Sequence, residues 1–538
     1  MPTLTWIGKD KVINHHLEVP YRVLERQYSF GENGQHEIDN SSANKIIHGD
    51  NLEALKALLP EYEGKIKCIY IDPPYNTGNE GWVYNDNVND PRMRDWLHKT
   101  VGKEGEDLSR HDKWLCMMYP RLKLLQRLLA EDGAIFISID DNEELALKAI
   151  CAEIFGARNY ITNFIWRKVD SPNDNKVAIT PDHEYILAYA KNISRLSLLQ
   201  KSAPEIIDAY RQVDENGRRC RDRLLKKNGK NSLRRDRPTM FFPITAPDGT
   251  EVLPIHDNGE EACWAMGKDG VAKQIKAGTL VWKKRIRNGT EGWEPYTREY
   301  APDVPTRPYP SIWADLPTMR QAKAVLKKIF QTSDLFDTPK PSELIERLLQ
   351  MIGDKNAVIL DSFAGSGTTA HAVLNMNRAD GGNRRFILVE MGDYANSITA
   401  ERVKRVINGY GEGKKAVDGT GGSFSYYELG EPLLCGDVLN EKVSTDKIRE
   451  YIYFTDTKSS LPEPNPDEPY FLGVHVGSAY YFYYEKQAVT TLNRAFLNTV
   501  RTRADAYVIY ADLCTLSDAE LEKYHITFKK IPRDITKL

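Results

Sequence analysis

Residues Asp72-Pro73-Pro74-Tyr75 set a carboxylate, two residues without a backbone N–H and an aromatic ring side by side. That combination suits the alkylation of an exocyclic aromatic amine. Such an amine is a poor nucleophile because its lone pair is delocalised into the ring, and accepting hydrogen bonds from both of its N–H groups pushes the nitrogen toward sp3. Asp72 supplies a carboxylate, and the double proline fixes the direction of the Pro73 carbonyl as a rigid second acceptor at about 3 Å. Tyr75 offers a π-face on which a base drawn out of a duplex can stack. The bland alternative is a strand that ends in an acid, a proline turn and an exposed tyrosine.

A second group lies far along the chain. Asp361-Ser362-Phe363-Ala364-Gly365-Ser366-Gly367-Thr368-Thr369-Ala370 follows the apolar run Ala357 to Leu360 and leads into a helical pattern. Gly365 and Gly367 permit a tight turn and close approach of a ligand to the backbone. The loop also satisfies G-x-G-x-x-A, and Glu390 ends the next apolar run where a ribose-binding acid belongs. A nicotinamide-dependent dehydrogenase therefore remains a rival on this loop alone. No GK[ST] follows the glycines, which disfavours a phosphate-cradling nucleotidase.

The elements around both groups are those of an α/β fold. Lys45 to Asp50 reads as a short strand and turn, with helix NLEALKALL after it. Ile66 to Ile71 is a continuous apolar run, as in a strand buried on both faces, and it ends at Asp72. Trp114 to Ala130 has helical spacing, Asp132 and Gly133 suggest a turn, and Ala134 to Ile139 another buried strand. Ile161 to Lys168 and Glu184 to Lys191 look like two more. The rhythm then stops, and Arg211 to Arg237 is crowded with basic residues, including Arg218, Arg219, Arg234 and Arg235. It resumes with helix Ser342 to Met351, strand Ala357 to Leu360 and strand Phe386 to Glu390. Near the end, Ala506 to Ala511 is again strand-like.

Composition narrows the class further. The 538 residues suggest several domains, and 41% hydrophobic with 28% charged residues is typical of globular chains. Seven scattered cysteines form no close pairs, so neither a structural metal nor a disulfide framework is expected. No apolar run is long enough for a membrane span and the first residues carry no secretion pattern, so the expected location is cytoplasmic. A net charge of -3 excludes a uniformly basic coat but not a local basic cleft.

DPPY followed much later by FxGxG resembles the β-class amino-methyltransferases of DNA, whose catalytic half precedes the cofactor half. The wording DPPYNTGNEGWVYNDN, RHDKWLCMMYPRLKLL and IYADLCTLSDAELEKYHITFKKIPRDI is further similar to the modification subunits of type III restriction systems. The resemblance implies a doubly wound, class I (Rossmann-like) S-adenosylmethionine-dependent sheet in circularly permuted order, with seven strands drawn from both halves. It implies Asp72, Pro73, Pro74 and Tyr75 as the catalytic tetrapeptide. The cofactor set would be Asp50 near the adenine, Lys340 or Ser342 near the methionine carboxylate, and Glu390 at the ribose. Asp361, Phe363, Gly365, Gly367 and Thr368 would line the remainder.

The domains expected are a catalytic half at 1–194, a target-recognition insert at 195–315, a cofactor half at 316–430 and a small C-terminal domain at 431–538. Arg218, Arg219, Arg234 and Arg235 are the candidate DNA contacts. The expected substrate is double-stranded DNA with a flipped adenine, and the expected partners are a second copy of the chain and a helicase/nuclease restriction subunit. Three rivals stay open: a cytosine-N4 methyltransferase, the dehydrogenase and a catalytically silent DNA-binding subunit. The Trp114 to Leu125 stripe reads as helix core and His371 as a first-turn helix residue, neither with a catalytic role.

Overall fold

The computed structural model describes residues 3–77, 107–170, 178–287, 289–332, 335–436 and 438–533. Residues 78–87 of the DPPYNTGNEGWVYNDN stretch and residues 534–535 of the C-terminal similarity lie outside the described residues. The described residues divide into two compact units, one of residues 1–199 with 310–538 and one of Gln200–Tyr309.

The larger unit is organised by one sheet. Ile66–Ile71 sits near its middle with Cys68, Ile69 and Ile71 at most 1% exposed, because helices cover both faces and an unbroken apolar run is needed to fill them. Its neighbours are Leu129–Ile139 on one side and Val358–Asp361 on the other, both parallel to it. Arg385–Glu390, Lys45–His48 and Phe424–Pro432 continue in parallel beyond Val358–Asp361. On the other flank His183–Ala190 and Tyr160–Arg167 run antiparallel to their inner neighbours. The two halves of the chain therefore meet at the central pair Ile66–Ile71 and Val358–Asp361, joined through Ile69 and Leu360.

The expected seven strands are exceeded, since the sheet carries eleven among the described residues. Phe424–Pro432, Arg22–Gly31 and Gly34–His36 extend one edge, and the two-residue Ile312–Trp313 strand extends the other. The expected turn at Asp132 and Gly133 is instead an interruption inside one strand. The ladder pairs Ile66 with Leu129 and then Cys68 with Ala134, so residues 130–133 bulge out between them.

Local sequence fixes the ends of the helices. Asp50 caps helix Asn51–Tyr62, its carboxylate accepting from the backbone N–H of Leu52 at 2.8 Å and Glu53 at 3.2 Å. Gly353, at φ 70°, ends helix Ser342–Ile352 in the left-handed region. In the last hundred residues, Phe471–His475, Ser478–Phe482, Ala506–Ala511 and Ile526–Lys530 form a separate sheet. Among the described residues no helix is long and apolar enough to cross a membrane.

The Gln200–Tyr309 unit has its own antiparallel sheet, ordered Leu280–Arg287, Thr290–Tyr300, Arg219–Leu224, Gln212–Val213. Its core is built on Leu225, Phe242, Ile244, Trp264 and Val271. Arg218, Arg219, Arg234 and Arg235 are all exposed. The Arg218 guanidinium lies 4.1 Å from the Tyr300 ring centroid, and Arg234 is paired with Glu261 at 2.9 Å.

Candidate active site

Parallel strands present their carboxyl ends on one edge, and four acids of this chain gather there. Asp72 follows Ile71, Asp140 follows Ile139, Asp361 ends Val358–Asp361 and Glu390 ends Arg385–Glu390. A cavity of about 490 Å³ opens there between the two central strands. The whole tetrapeptide Asp72 to Tyr75 lines it, together with Lys340, Asp361, Phe363, Gly365 and Thr368. Two motifs nearly three hundred positions apart in sequence thus share one chamber.

The tetrapeptide is held from several sides. Trp114 donates its indole N–H to the Pro74 carbonyl at 2.7 Å, so one member of the helix-core stripe also fixes the turn that carries the candidate chemistry. Asn76, in the left-handed region at φ 57°, donates to the buried Glu143 carboxylate at 2.5 Å. Glu143 also has His111 Nδ1 at 2.6 Å. These bonds offset the cost of a non-glycine residue in that conformation.

Asp72 is embedded in charge. Lys340 Nζ lies 2.8 and 2.7 Å from its two oxygens, and the Tyr75 hydroxyl donates to Oδ1 at 2.8 Å. Glu184 completes the group, with Oε2 at 3.1 Å from the Tyr75 hydroxyl and 3.4 Å from Lys340 Nζ, and Oε1 at 3.3 Å from Lys168 Nζ. Burial raises the Asp72 carboxyl above the usual range, with the Lys340 ammonium opposing the rise and Glu184 adding to it. For Lys340, burial would favour loss of the proton, but the Asp72 and Glu184 carboxylates outweigh it and hold the ammonium charged. Burial, then the charges of Asp72 and Glu184, keep the Tyr75 phenol protonated.

The glycine loop is shaped by contacts that a side chain would spoil. Gly365 has φ 52° and a Cβ there would sit 3.1 Å from Phe336 Cζ; Gly367 has φ 81° and a Cβ would meet the Thr399 carbonyl oxygen at 3.0 Å. Glu390, 1% exposed, accepts from the backbone N–H of Gly365 at 2.7 Å and of Gly392 at 2.8 Å, tying the loop to the next strand end. Asp361 accepts from Phe363 N at 3.0 Å and from the Thr369 hydroxyl at 2.5 Å, and burial pushes its carboxyl up to about 7. Beneath the loop, the buried Arg402 donates to Ser366 Oγ and Thr368 Oγ1, both at 2.8 Å, and lies 3.2 Å from His371 Nδ1. Phe336 and Tyr394 meet edge to face at 5.7 Å and line the cavity beside Gly365.

Asp50, Ser342, Gly367 and Glu390 are not among the residues that line the cavity. Asp50 is committed to its helix cap, with Arg121 Nη2 3.4 Å away. Lys340, expected near a cofactor carboxylate, is paired in this structure with Asp72. The sequence alone assigns no site role to Glu184, Lys168 or Tyr394, and it reads Trp114 only as helix core. Glu184 did carry a signal, since it is a carboxylate at the head of an otherwise apolar strand, His183–Ala190.

A family model described as DNA methylase matches residues 66–401. The chain is 32% identical over 431 residues to the type III restriction-modification enzyme EcoPI Mod subunit of Escherichia phage P1, covering 73% of this chain and 64% of that protein. To the StyLTI Mod subunit of Salmonella typhimurium it is 35% identical over 360 residues, covering 65% and 52% respectively. To the type II methyltransferase M.KpnI of Klebsiella pneumoniae it is 33% identical over 366 residues, covering 65% and 81%. This chain therefore spans between half and two thirds of the length of those two Mod subunits.

Proposed function

Since this chain belongs to the DNA methylase family whose model its residues 66–401 match, we propose that it methylates N6 of adenine in double-stranded DNA, using S-adenosylmethionine. Its place would be that of the modification subunit of a type III restriction-modification system, or of a stand-alone relative, acting in the cytoplasm. One observation carries the reading: Asp72 to Tyr75 and the glycine loop, from opposite halves of the chain, face a single cavity at the carboxyl edge of a parallel sheet.

The residues present fit the methyl donor. The aromatic pair Phe336 and Tyr394 borders the cavity beside Gly365, and Glu390 is an acid at the adjacent strand end. Phe363, Gly365 and Thr368 would line the donor, with Glu390 toward its ribose and Asp361 behind the loop. S-adenosylmethionine supplies an electrophilic methyl carbon on a sulfonium, so neither a metal nor a covalent enzyme intermediate is required.

The chain's own contribution is to orient the amine. Asp72 accepts one N–H of the flipped base and the Pro73 carbonyl the other, while the Tyr75 ring takes the base face. Lys340 must share Asp72 with the amine, and Glu184 is placed to retain it. The insert would read the sequence, Arg218, Arg219, Arg234 and Arg235 would meet phosphates, and a second copy and a restriction subunit would be partners.

A carboxylate acceptor serves the amino group of either adenine or cytosine. Mass spectrometry of nucleosides from DNA treated with the chain and methyl-labelled donor tests the reading. N6-methyladenine is expected, and N4-methylcytosine alone would move the assignment to cytosine.

A further inference from the structure

Direct displacement at an amine leaves the nitrogen with one surplus proton. Next to Asp72, the Tyr75 hydroxyl lies 2.8 Å from Asp72 Oδ1 and 3.1 Å from Glu184 Oε2. A phenol has one hydrogen to donate. Set between two carboxylates, it donates well to both only in turn, and it accepts from one when that one carries a proton. The three groups form a track for a single proton, with ends at Asp72 and Glu184. Glu184 is 2% exposed and has a lysine on each oxygen, Lys168 at 3.3 Å and Lys340 at 3.4 Å, so its place is fixed from both sides.

We propose that the proton released by the target amine passes from Asp72 through the Tyr75 hydroxyl to Glu184, an inference that rests on the methyl-transfer reading above. As the N–C bond forms and the S–C bond breaks, the positive charge moves from sulfur to the amine nitrogen. The N–H bond then breaks to Asp72 Oδ1, the Asp72 proton moves to Tyr75 Oη, and the Tyr75 proton moves to Glu184 Oε2. Asp72 ends as a carboxylate, Tyr75 as a phenol and Glu184 as a carboxylic acid. One positive and one negative charge have disappeared together, so the balance closes without a further reactant. The other groups facing the track are Lys340, Lys168, Asp140, Tyr70 and Asp361, and none of them changes protonation in this scheme. Burial of Asp72 raises its proton affinity, which favours the first transfer.

Two readouts test the track in wild type, Tyr75→Phe, Glu184→Gln and the double variant. Infrared difference spectra of the chain without donor or DNA, taken on acidification, should show a protonated-carboxyl band that loses intensity in Glu184→Gln and moves in Tyr75→Phe. Single-turnover methyl transfer at saturating donor and DNA should fall about a hundred-fold in each single variant. The double variant should be no slower than the slower single, because one path is broken once. Calorimetry should give wild-type donor affinity throughout. Should Glu184→Gln fail to fold, Tyr75→Phe, which keeps the ring, carries the test alone. Wild-type transfer rates in Tyr75→Phe, multiplicative losses in the double variant, or a band unchanged in the single variants would overturn the proposal. A wild-type chain that transfers no methyl group contradicts the functional reading instead, and the infrared arm separates the two failures because it needs no turnover.

Discussion

Lys340 Nζ bridges both oxygens of Asp72, at 2.8 and 2.7 Å, so the carboxylate assigned to the target amine is already shared with a buried cation. Lys340→Met removes that cation from between Asp72 and Glu184. The Asp72 carboxyl, already raised by burial, then rises further, so its basic form is populated only at higher pH. The acid limb of the pH–rate profile for methyl incorporation should move to higher pH. Stability in urea should fall by about 3–5 kcal/mol, the cost of leaving buried charges unpaired. An unmoved limb would reduce the pair to a structural contact.

Asp361 makes the stability of the fold depend on pH. Its folded carboxyl sits at about 7, above the usual value of 3.8, so the folded state holds a proton that the unfolded state has released. Stability from this group is full below 3.8 and is lost as pH rises toward 7. Asp361→Asn should therefore stabilise relative to wild type at pH above 7 by roughly 1–4 kcal/mol and lose that advantage in acid. Denaturation curves at the two pH extremes check it, and an equal difference at both would contradict the assignment.

Much of the sheet could be read from residue patterns, and the reasons are local. Ile66–Ile71 and Ala506–Ala511 lie where the sequence places them, because each is an apolar run bounded by residues that stop a strand. The extra edge strands were not legible, since Gly34–His36 is short and polar and Ile312–Trp313 has only two residues. Residues 130–133 carry turn chemistry that the sheet absorbs as a bulge, which only pairing with Ile66 and Cys68 reveals. In the site, DPPY and the glycine loop announce themselves by composition. Glu184 shows only as a carboxylate near the start of an apolar strand, and its role comes from Tyr75 and Lys340, which the fold brings to it from distant parts of the chain.

Glu390 acts on the loop as well as at the strand end, since its carboxylate takes the N–H groups of Gly365 and Gly392. Glu390→Ala should raise the dissociation constant for S-adenosylmethionine at least about ten-fold, the loss expected for charge-assisted bonds. DNA affinity should change little. Calorimetry showing unaltered donor binding would require another partner for the ribose.

Sequence choice should travel with the Gln200–Tyr309 unit, which folds around its own core. Replacing it with the corresponding unit of a relative should change which site is methylated, while neutralising Arg218 and Arg219 should weaken binding to all sequences and flatten the salt slope. Methylation mapping of the chimera checks the first part. A chimera that is active on the original site would place recognition outside this unit.

The central claim is that Asp72 activates the amine and does not anchor the donor. Asp72→Ala, assayed for transfer of labelled methyl from S-adenosylmethionine to DNA alongside calorimetric donor binding, tests it in one preparation. Incorporation should drop by at least about a thousand-fold while the donor dissociation constant stays close to wild type. Label entering adenine at a substantial fraction of the wild-type rate would contradict it.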